Sequence, residues 1–297
     1  MSTPVPSVYA AVMAARATLA RAGIASAEAD AIELAAFVLA VPTGEVRRRM
    51  VLRDNADPTF LRTYAALLAE REARVPLQHL TGRAYFRRLT LAVGPGVFVP
   101  RPETEVVAGL AIEAARAAVQ SGIRHPVVVD LCTGSGAIAL AVKDEVPGAE
   151  VVAVELSPQA HAWAARNRDL LALDIRLDLA DATTALDDLA GHVDVVVTNP
   201  PYIPDGQVPV DPEVRDHDPG LALYGRSADG LAIPLRVAAR AAALLGSGGV
   251  LVMEHADVQG RALLAALADA GVWRDLTDHR DLTGRPRAVV ARRGHGE

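Results

Sequence analysis

Val193-Asp194-Val195-Val196-Val197-Thr198-Asn199-Pro200-Pro201-Tyr202 decides how this chain is read. A run of β-branched residues broken by a single carboxylate reads as a buried parallel strand. The tetrapeptide after it then falls at a strand's carboxyl end, where open α/β sheets hold ligands. Asn199 brings a side-chain carbonyl acceptor, while Pro200 and Pro201 fix φ and remove backbone donors that would compete for an electron pair. With Tyr202 adjoining, the turn is rigid, rich in acceptors and flanked by an aromatic face. Such a turn suits holding a planar –NH2 by both hydrogens, with the nitrogen lone pair left to attack an electrophile. A proline-stiffened loop without chemistry is the other reading of the same four residues.

Working outward, apolar runs at residues 127–129, 151–154, 175–179 and 250–253 read as further strands, and Ala/Leu segments at 137–142, 160–171 and 237–245 as helices between them. Alternation of this kind predicts a doubly wound α/β fold, a parallel sheet covered on both faces. Pro234 is tolerated only in a first helical turn, so its helix is expected to start close to Asp229. Residues 9–74 have helical spacing, as in Phe60-Leu61-Tyr64-Leu67-Leu68, and predict a small helical bundle. Between these parts, residues around Leu89, Leu91 and Val93 alternate, and Gly94-Pro95-Gly96 is expected to turn a hairpin. The expected organisation is a helical domain over 1–75, a linker with a β-hairpin over 76–102 and an α/β domain over 103–297.

The charge balance is uneven: residues 1–99 carry +4 and the remainder −10, for a total of −6. A protein that tracks duplex phosphates usually presents a basic face, so no direct DNA binding is expected of the acidic part. Arg47-Arg48-Arg49 reads as a solvated helix face. A single cysteine, Cys132, excludes an internal disulfide and a cysteine-rich metal centre, and fits a reducing cytoplasm. No apolar run approaches the roughly 18 residues a membrane span needs, and residues 1–8 lack a basic segment followed by an apolar core.

Asp130-Leu131-Cys132-Thr133-Gly134-Ser135-Gly136-Ala137 lies between the first strand of the sheet and its helix, where small residues let a ligand approach backbone N–H groups. Glu155 ends the next strand and is positioned to accept both hydroxyl hydrogens of a ribose. Asp181 ends the third and is a candidate acceptor for an adenine amino group. Glycines plus an acid also fit a nicotinamide dehydrogenase. The fourth strand separates the two, because it delivers an amide-holding turn: a sulfonium methyl donor beside it makes a complete reaction, and a nicotinamide does not.

Together these residues closely resemble the S-adenosyl-L-methionine-dependent N5-glutamine methyltransferases of the HemK or PrmC type, which modify peptide-chain release factors. The resemblance is carried by Pro76-Leu77-Gln78-His79-Leu80-Thr81-Gly82, Val97-Phe98-Val99-Pro100-Arg101-Pro102-Glu103-Thr104-Glu105, the loop from Thr133 and the Asn-Pro-Pro-Tyr turn. Asp218-Pro219-Gly220-Leu221-Ala222-Leu223-Tyr224-Gly225, Asp229-Gly230-Leu231 and Gly284-Arg285-Pro286-Arg287 extend it.

The resemblance implies a Rossmann-like class I methyltransferase sheet and an amino-terminal bundle that recognises the protein substrate. It implies a donor site of Cys132, Thr133, Gly134, Ser135, Gly136, Ala137, Glu155, Asp181, Ala182 and Asn199, with S-adenosyl-L-homocysteine as product. Asn199, Pro200, Pro201 and Tyr202 are the implied catalytic and substrate-binding turn, with Phe98, Arg101 and Glu103 lining the pocket. No metal is implied, and class 1 release factors are the implied partners. The chain departs from the family at two positions. Cys132 stands where glycine is common, and a cysteine disfavours positive φ. Ala182 stands where some members carry a large aromatic. The other readings are a DNA amino-methyltransferase acting on adenine or cytosine, a ribosomal-protein glutamine methyltransferase, and a non-catalytic protein that only holds a release factor.

Overall fold

The computed structural model describes residues 5–294, so residues 1–4 of the amino-terminal reading and the last three of the α/β segment lie outside the described residues. The chain divides into two compact units, one running to Arg83 and taking in Val210–His217, the other formed by Ala84–Pro209 and the residues from Asp218 onward. The division thus falls eight residues beyond the boundary expected at 75, and the segment 210–217 belongs to the first unit.

The first unit holds α1 (Val8–Arg21), α2 (Ala27–Leu39), α3 (Thr43–Leu52), α4 (Pro58–Glu72) and α5 (Leu77–Thr81). Local sequence starts the helices: Ser7 Oγ accepts from the Ala10 N–H, and Asp57 accepts from Thr59 at 2.7 Å just ahead of Pro58. Val12, Leu19, Leu34, Phe60 and Tyr64 form the core. Arg71, 5% exposed, pairs with Asp30 at 2.8 Å and with Glu213 at 2.7 Å. Arg74 reaches the same Glu213. A buried network of this kind adds little net stability while complete, but losing one member strands a charge. Its partners fix the segment 210–217 to the bundle.

The hairpin β1 (Arg83–Phe86) and β2 (Leu89–Ala92) lies in the second unit from Ala84 onward. Its turn is Arg87-Arg88, not Gly94-Pro95-Gly96. Arg87 adopts φ 52°, held by its N–H on Glu105 at 2.9 Å and its guanidinium on Glu145. Gly94 is small for another reason: a Cβ there would lie 2.7 Å from the Trp163 ring.

Beyond α6 (Thr104–Gln120), a seven-stranded sheet follows: β3 (Val127–Leu131), β4 (Glu150–Glu155), β5 (Arg176–Leu179), β6 (Val193–Thr198), β7 (Leu245–Glu254), β8 (Trp273–Arg280) and β9 (Pro286–Arg293). Their spatial order is β5-β4-β3-β6-β7-β9-β8. The first five, β3 to β7, run parallel to one another, and β9 runs antiparallel to β7 and β8. Packed with the sheet are α7 (Ala137–Glu145), α8 (Pro158–Leu171), α10 (Ala232–Leu244) and α11 (Gly260–Asp269), while α9 (Pro212–His217) lies in the first unit.

Alternation along the strands divides the core in two. Val195, Val197, Val250 and Val252 pack with Ile112 and Leu140 on one face, and Val196, Leu251 and Met253 pack with Val237, Leu244 and Leu263 on the other. Helix α10 starts at Ala232, three residues after Asp229. Asp229 Oδ1 takes the Leu231 N–H and Ser227 Oγ takes that of Ala232, which leaves Pro234 in the first turn as expected. The sequence reading missed α6, α11 and the β8/β9 pair. Strand β8 is a mostly polar edge strand with a register break near Asp275 (φ 53°), so neither an apolar run nor strict alternation marks it.

Candidate active site at the sheet switch point

Strands β3 and β6 are neighbours, but the chain leaves them in opposite directions across the sheet, towards β4 from β3 and towards β7 from β6. A crevice opens at the carboxyl ends of two strands so related. The loop after β3 and the turn after β6, 62 residues apart from Ala137 to Asn199, are both at this end.

The glycine-rich loop is held by two acids. Asp130, fully buried, accepts from Thr133 Oγ1 at 2.6 Å and from the Ala139 N–H at 3.1 Å. Burial pushes its carboxyl up to about 7, and its Oδ1 has no hydrogen-bond partner among the described residues. Glu155 Oε2 accepts from the Gly134 N–H at 2.8 Å, and its Oε1 from the Ser157 N–H at 2.7 Å. Positive φ recurs at Cys132 (68°), Gly134 (59°) and Gly136 (83°). The expectation that cysteine would resist this geometry is therefore corrected: the Thr133 N–H on the Val154 carbonyl at 2.9 Å and the Gly134 contact close the loop just past Cys132.

A Cβ at Gly134 would meet nothing within 4 Å, so that side of the loop is open, whereas one at Gly136 would press on Leu140. Ser135 is buried, and its carbonyl accepts from Asn167 Nδ2 at 2.9 Å. Ala137 begins α7. Burial, together with the charges of Glu155 and Asp130, pushes the Cys132 thiol well up, which keeps it protonated and argues against a nucleophile.

Asp181 follows β5 and is exposed. Its Oδ1 accepts from the Thr183 N–H and Oγ1, and these bonds hold its carboxyl below the usual range. The Ala182 side chain is 7% exposed and sits in the core cluster with Leu186 and Val154, so only its backbone is left to face a ligand.

At the turn, Asn199 Nδ2 donates to Thr104 Oγ1 at 3.4 Å, Pro200 is buried, and Pro201 and Tyr202 are half-buried. The Tyr202 hydroxyl donates to Glu254 Oε1 at 3.2 Å; burial first and the Glu254 charge second push its pKa well up. Its carbonyl accepts from Gln259 Nε2 at 2.8 Å. Gln259 donates also to the Asp229 carbonyl at 2.7 Å, and its Oε1 accepts from the Ala256 N–H at 3.0 Å, so it clamps three segments. Glu254, 2% exposed at the end of β7, is pushed up to about 7 by burial, while Thr104, Arg287 and Tyr202 pull it back.

Arg101 donates to Asp218 Oδ2 at 2.7 Å with its guanidinium 5.1 Å from the Phe98 ring centre. Glu103 immediately precedes α6, close enough for its charge to raise both Tyr202 and Glu254. Thr104, Asn167, Glu254 and Gln259 were not singled out from sequence. A lone acid at the carboxyl end of residues 250–253 was the one available signal for Glu254, while Thr104 lay unremarked inside a quoted motif.

A doubly wound sheet in this order, with an acidic strand end beside a glycine-rich loop and an acceptor turn on the adjacent strand, defines a Rossmann-like class I methyltransferase. Residues 10–82 match the PrmC N-terminal domain and residues 103–211 the methyltransferase small domain. A Streptomyces coelicolor protein named release factor glutamine methyltransferase is 51% identical over 93% of this chain and 94% of its own length. One of the same name from Bifidobacterium longum is 46% identical over 93% of this chain and 96% of its own. A Streptomyces pristinaespiralis protein named 4-amino-L-phenylalanine/4-methylamino-L-phenylalanine methyltransferase is 39% identical over 92% of this chain and 91% of its own. The chain belongs to the family of release factor glutamine methyltransferases.

Proposed function

We propose that this enzyme moves a methyl group from S-adenosyl-L-methionine to the side-chain amide nitrogen of the glutamine in the Gly-Gly-Gln motif of class 1 peptide-chain release factors. The observation that carries the reading is the turn 199–202, whose first and last residues are held in place, Asn199 by Thr104 and Tyr202 by Glu254 and Gln259. The loop residues fit the donor: Gly134 is open on one side, and Glu155 is oriented by two backbone N–H groups while each of its oxygens keeps a lone pair for a hydroxyl hydrogen. When bound, that donor supplies an electrophilic methyl on a sulfonium.

An amide nitrogen is a poor nucleophile because its lone pair is delocalised into the carbonyl. Asn199 Oδ1 and the Pro200 carbonyl each accept one N–H, which stabilises the positive character the nitrogen gains as it attacks. Pro201, with no N–H of its own, offers no competing donor. The Tyr202 ring packs against the amide plane, with Phe98, Arg101 and Glu103 lining the pocket. Cys132, Thr133, Gly134, Ser135, Gly136 and Ala137 hold the donor through backbone, with Asp181 and the Ala182 backbone at the adenine end. The same reading has the enzyme act in the cytoplasm, on a protein and not on duplex DNA, as the −10 balance beyond residue 99 favours. Among the described residues no helix is long and apolar enough to cross a membrane.

The test presents labelled donor with a release factor, its Gln→Glu variant, duplex DNA and 4-amino-L-phenylalanine. Label is expected on the glutamine of the unmodified release factor alone, since a carboxylate has no N–H pair to offer two acceptors. Label on a DNA amino group or on the free amine, with none on the release factor, overturns the assignment.

A further inference from the structure

The glycine-rich loop and the segment that carries Phe98, Arg101 and Glu103 come from distant parts of the chain, and one helix touches both. Helix α8 starts three residues after Glu155 and carries Gln159, Trp163 and Asn167 four residues apart, along one stripe of its surface. The segment 92–96, which leaves β2, follows that stripe. Ala92 bonds to Asn167, and Gly94 sits where a Cβ would lie 2.7 Å from the Trp163 ring. The Pro95 carbonyl accepts from Trp163 Nε1 at 3.2 Å, and a Cβ at Gly96 would lie 2.7 Å from Gln159 Oε1. Val97 and Val99 then enter the core on either side of Phe98, and Arg101 and Glu103 follow.

Asn167 is the contact on this stripe that also reaches the loop. It is 1% exposed, and both ends of its amide are used. Oδ1 accepts from the Ala92 N–H at 2.7 Å, while Nδ2 donates to the Ala92 carbonyl at 3.0 Å and to the Ser135 carbonyl at 2.9 Å. A backbone N–H only donates and a backbone carbonyl only accepts, so these partners fix which end of the amide faces which way. Ser135 lies between Gly134 (φ 59°) and Gly136 (φ 83°), and the Gly136 N–H donates to the Thr133 carbonyl at 2.9 Å. The peptide joining Ser135 to Gly136 is thus held at its oxygen by Asn167 and at its nitrogen from within the loop.

We infer that Asn167 is a positioning residue for both ligands. Through Ser135 it sets the path of the donor loop, and through Ala92 it sets where the segment 97–103 runs relative to that loop, so that methyl donor and acceptor pocket are built at a fixed separation. This role rests on the proposed donor and substrate sites. Two substitutions separate its two connections. Asn167→Leu keeps the bulk of the side chain and removes all three bonds. Gly94→Ala leaves Asn167 and Ser135 unaltered but forces the segment away from the rigid Trp163 ring.

Calorimetry with S-adenosyl-L-homocysteine and single-turnover methylation of a release factor at saturating donor give the two readouts. Leu244→Ala, a core truncation just before the start of β7 and so at the other end of the strands, controls for lost stability alone. Asn167→Leu is expected to weaken S-adenosyl-L-homocysteine about 10-fold and to slow transfer about 10–100-fold, the scale of a misplaced reacting group. Gly94→Ala is expected to bind within about twofold of wild type yet to slow transfer by the same about 10–100-fold. Leu244→Ala is expected to match wild type in both below its unfolding midpoint.

Wild-type affinity in Asn167→Leu, or a wild-type rate in Gly94→Ala, overturns the inference. So does a Leu244→Ala variant that loses as much of either as Asn167→Leu. Side-chain 15N NMR needs no variant: both Asn167 Nδ2 hydrogens are expected to be protected from exchange in wild type, and rapid exchange of the pair also overturns it. A wild-type enzyme that binds S-adenosyl-L-homocysteine but leaves the release factor unlabelled overturns the substrate reading, and the affinity contrast between Asn167→Leu and Gly94→Ala then decides the role of Asn167.

Discussion

The Gly134 N–H donates to Glu155 Oε2 at 2.8 Å, so the glycine-rich loop and the acid that ends the next strand form one hydrogen-bonded unit. Glu155 consequently shapes the loop, and in the proposed function it also accepts from a ribose. Glu155→Ala is expected to weaken S-adenosyl-L-homocysteine binding by about 1.5–3 kcal/mol, the value of hydrogen bonds to a charged group. Calorimetry on the folded variant measures it. Unchanged affinity would remove Glu155 from the donor site.

Asn199→Ala is expected to keep most of its donor affinity and lose methyl transfer by roughly 10²–10³, the usual effect of removing one preorganised group that stabilises transition-state charge. Single-turnover rates at saturating donor separate chemistry from binding. A variant with near-normal chemistry would sink the role given to the turn.

Gly230→Ala tests the support of the turn at Tyr202. Gly230 has φ 76°, and a Cβ there would lie 2.1 Å from the Tyr202 carbonyl oxygen and 2.9 Å from Gln259 Nε2. The backbone must move, so both the thermal midpoint and the methylation rate are expected to fall. Gln259→Leu should lower stability by about 1–3 kcal/mol for each carbonyl left without its donor. Urea unfolding reads this, and a wild-type midpoint in either variant would contradict the clamp.

Burial pushes Asp130 and Glu254 up to about 7, so the folded protein holds protons there that the unfolded chain has already released. Stability from these groups is complete below the ordinary carboxylate range near pH 4 and is lost as pH rises through about 7. Glu254→Gln removes one such group. Between pH 5 and 8 the variant is therefore expected to lose less unfolding free energy than wild type. Parallel pH curves from urea titrations would show that Glu254 titrates normally.

How much of this was legible in sequence depends on whether the information is contiguous. The Val-rich runs at β3, β4 and β6 announced a buried parallel sheet because burial on both faces leaves no room for polar alternation. The loop from Asp130 and the turn 199–202 were legible for the same reason, since each is a single short segment whose backbone chemistry is set by its own residues. Antiparallel β8 was not legible, because a polar edge strand with a register break carries no such signature.

What surrounds the turn was decided by the fold alone. Thr104 is 95 residues from Asn199, and Glu254 and Gln259 are 52 and 57 residues from Tyr202. Their meeting follows from the sheet order that sets β7 beside β6, which local propensity does not encode. Cys132 makes the same point in the backbone. Sequence reasoning expects an L-residue to avoid the left-handed region, where the conformation costs roughly 1–2 kcal/mol. At φ 68° the cost is offset by the hydrogen bonds of Thr133 to Val154 and of Gly134 to Glu155. The amino-acid sequence by itself determined where the strands end and which short loop and turn follow them; the tertiary structure determined which distant side chains bond to that loop and turn, because hydrogen-bond partners are chosen by proximity in the folded sheet.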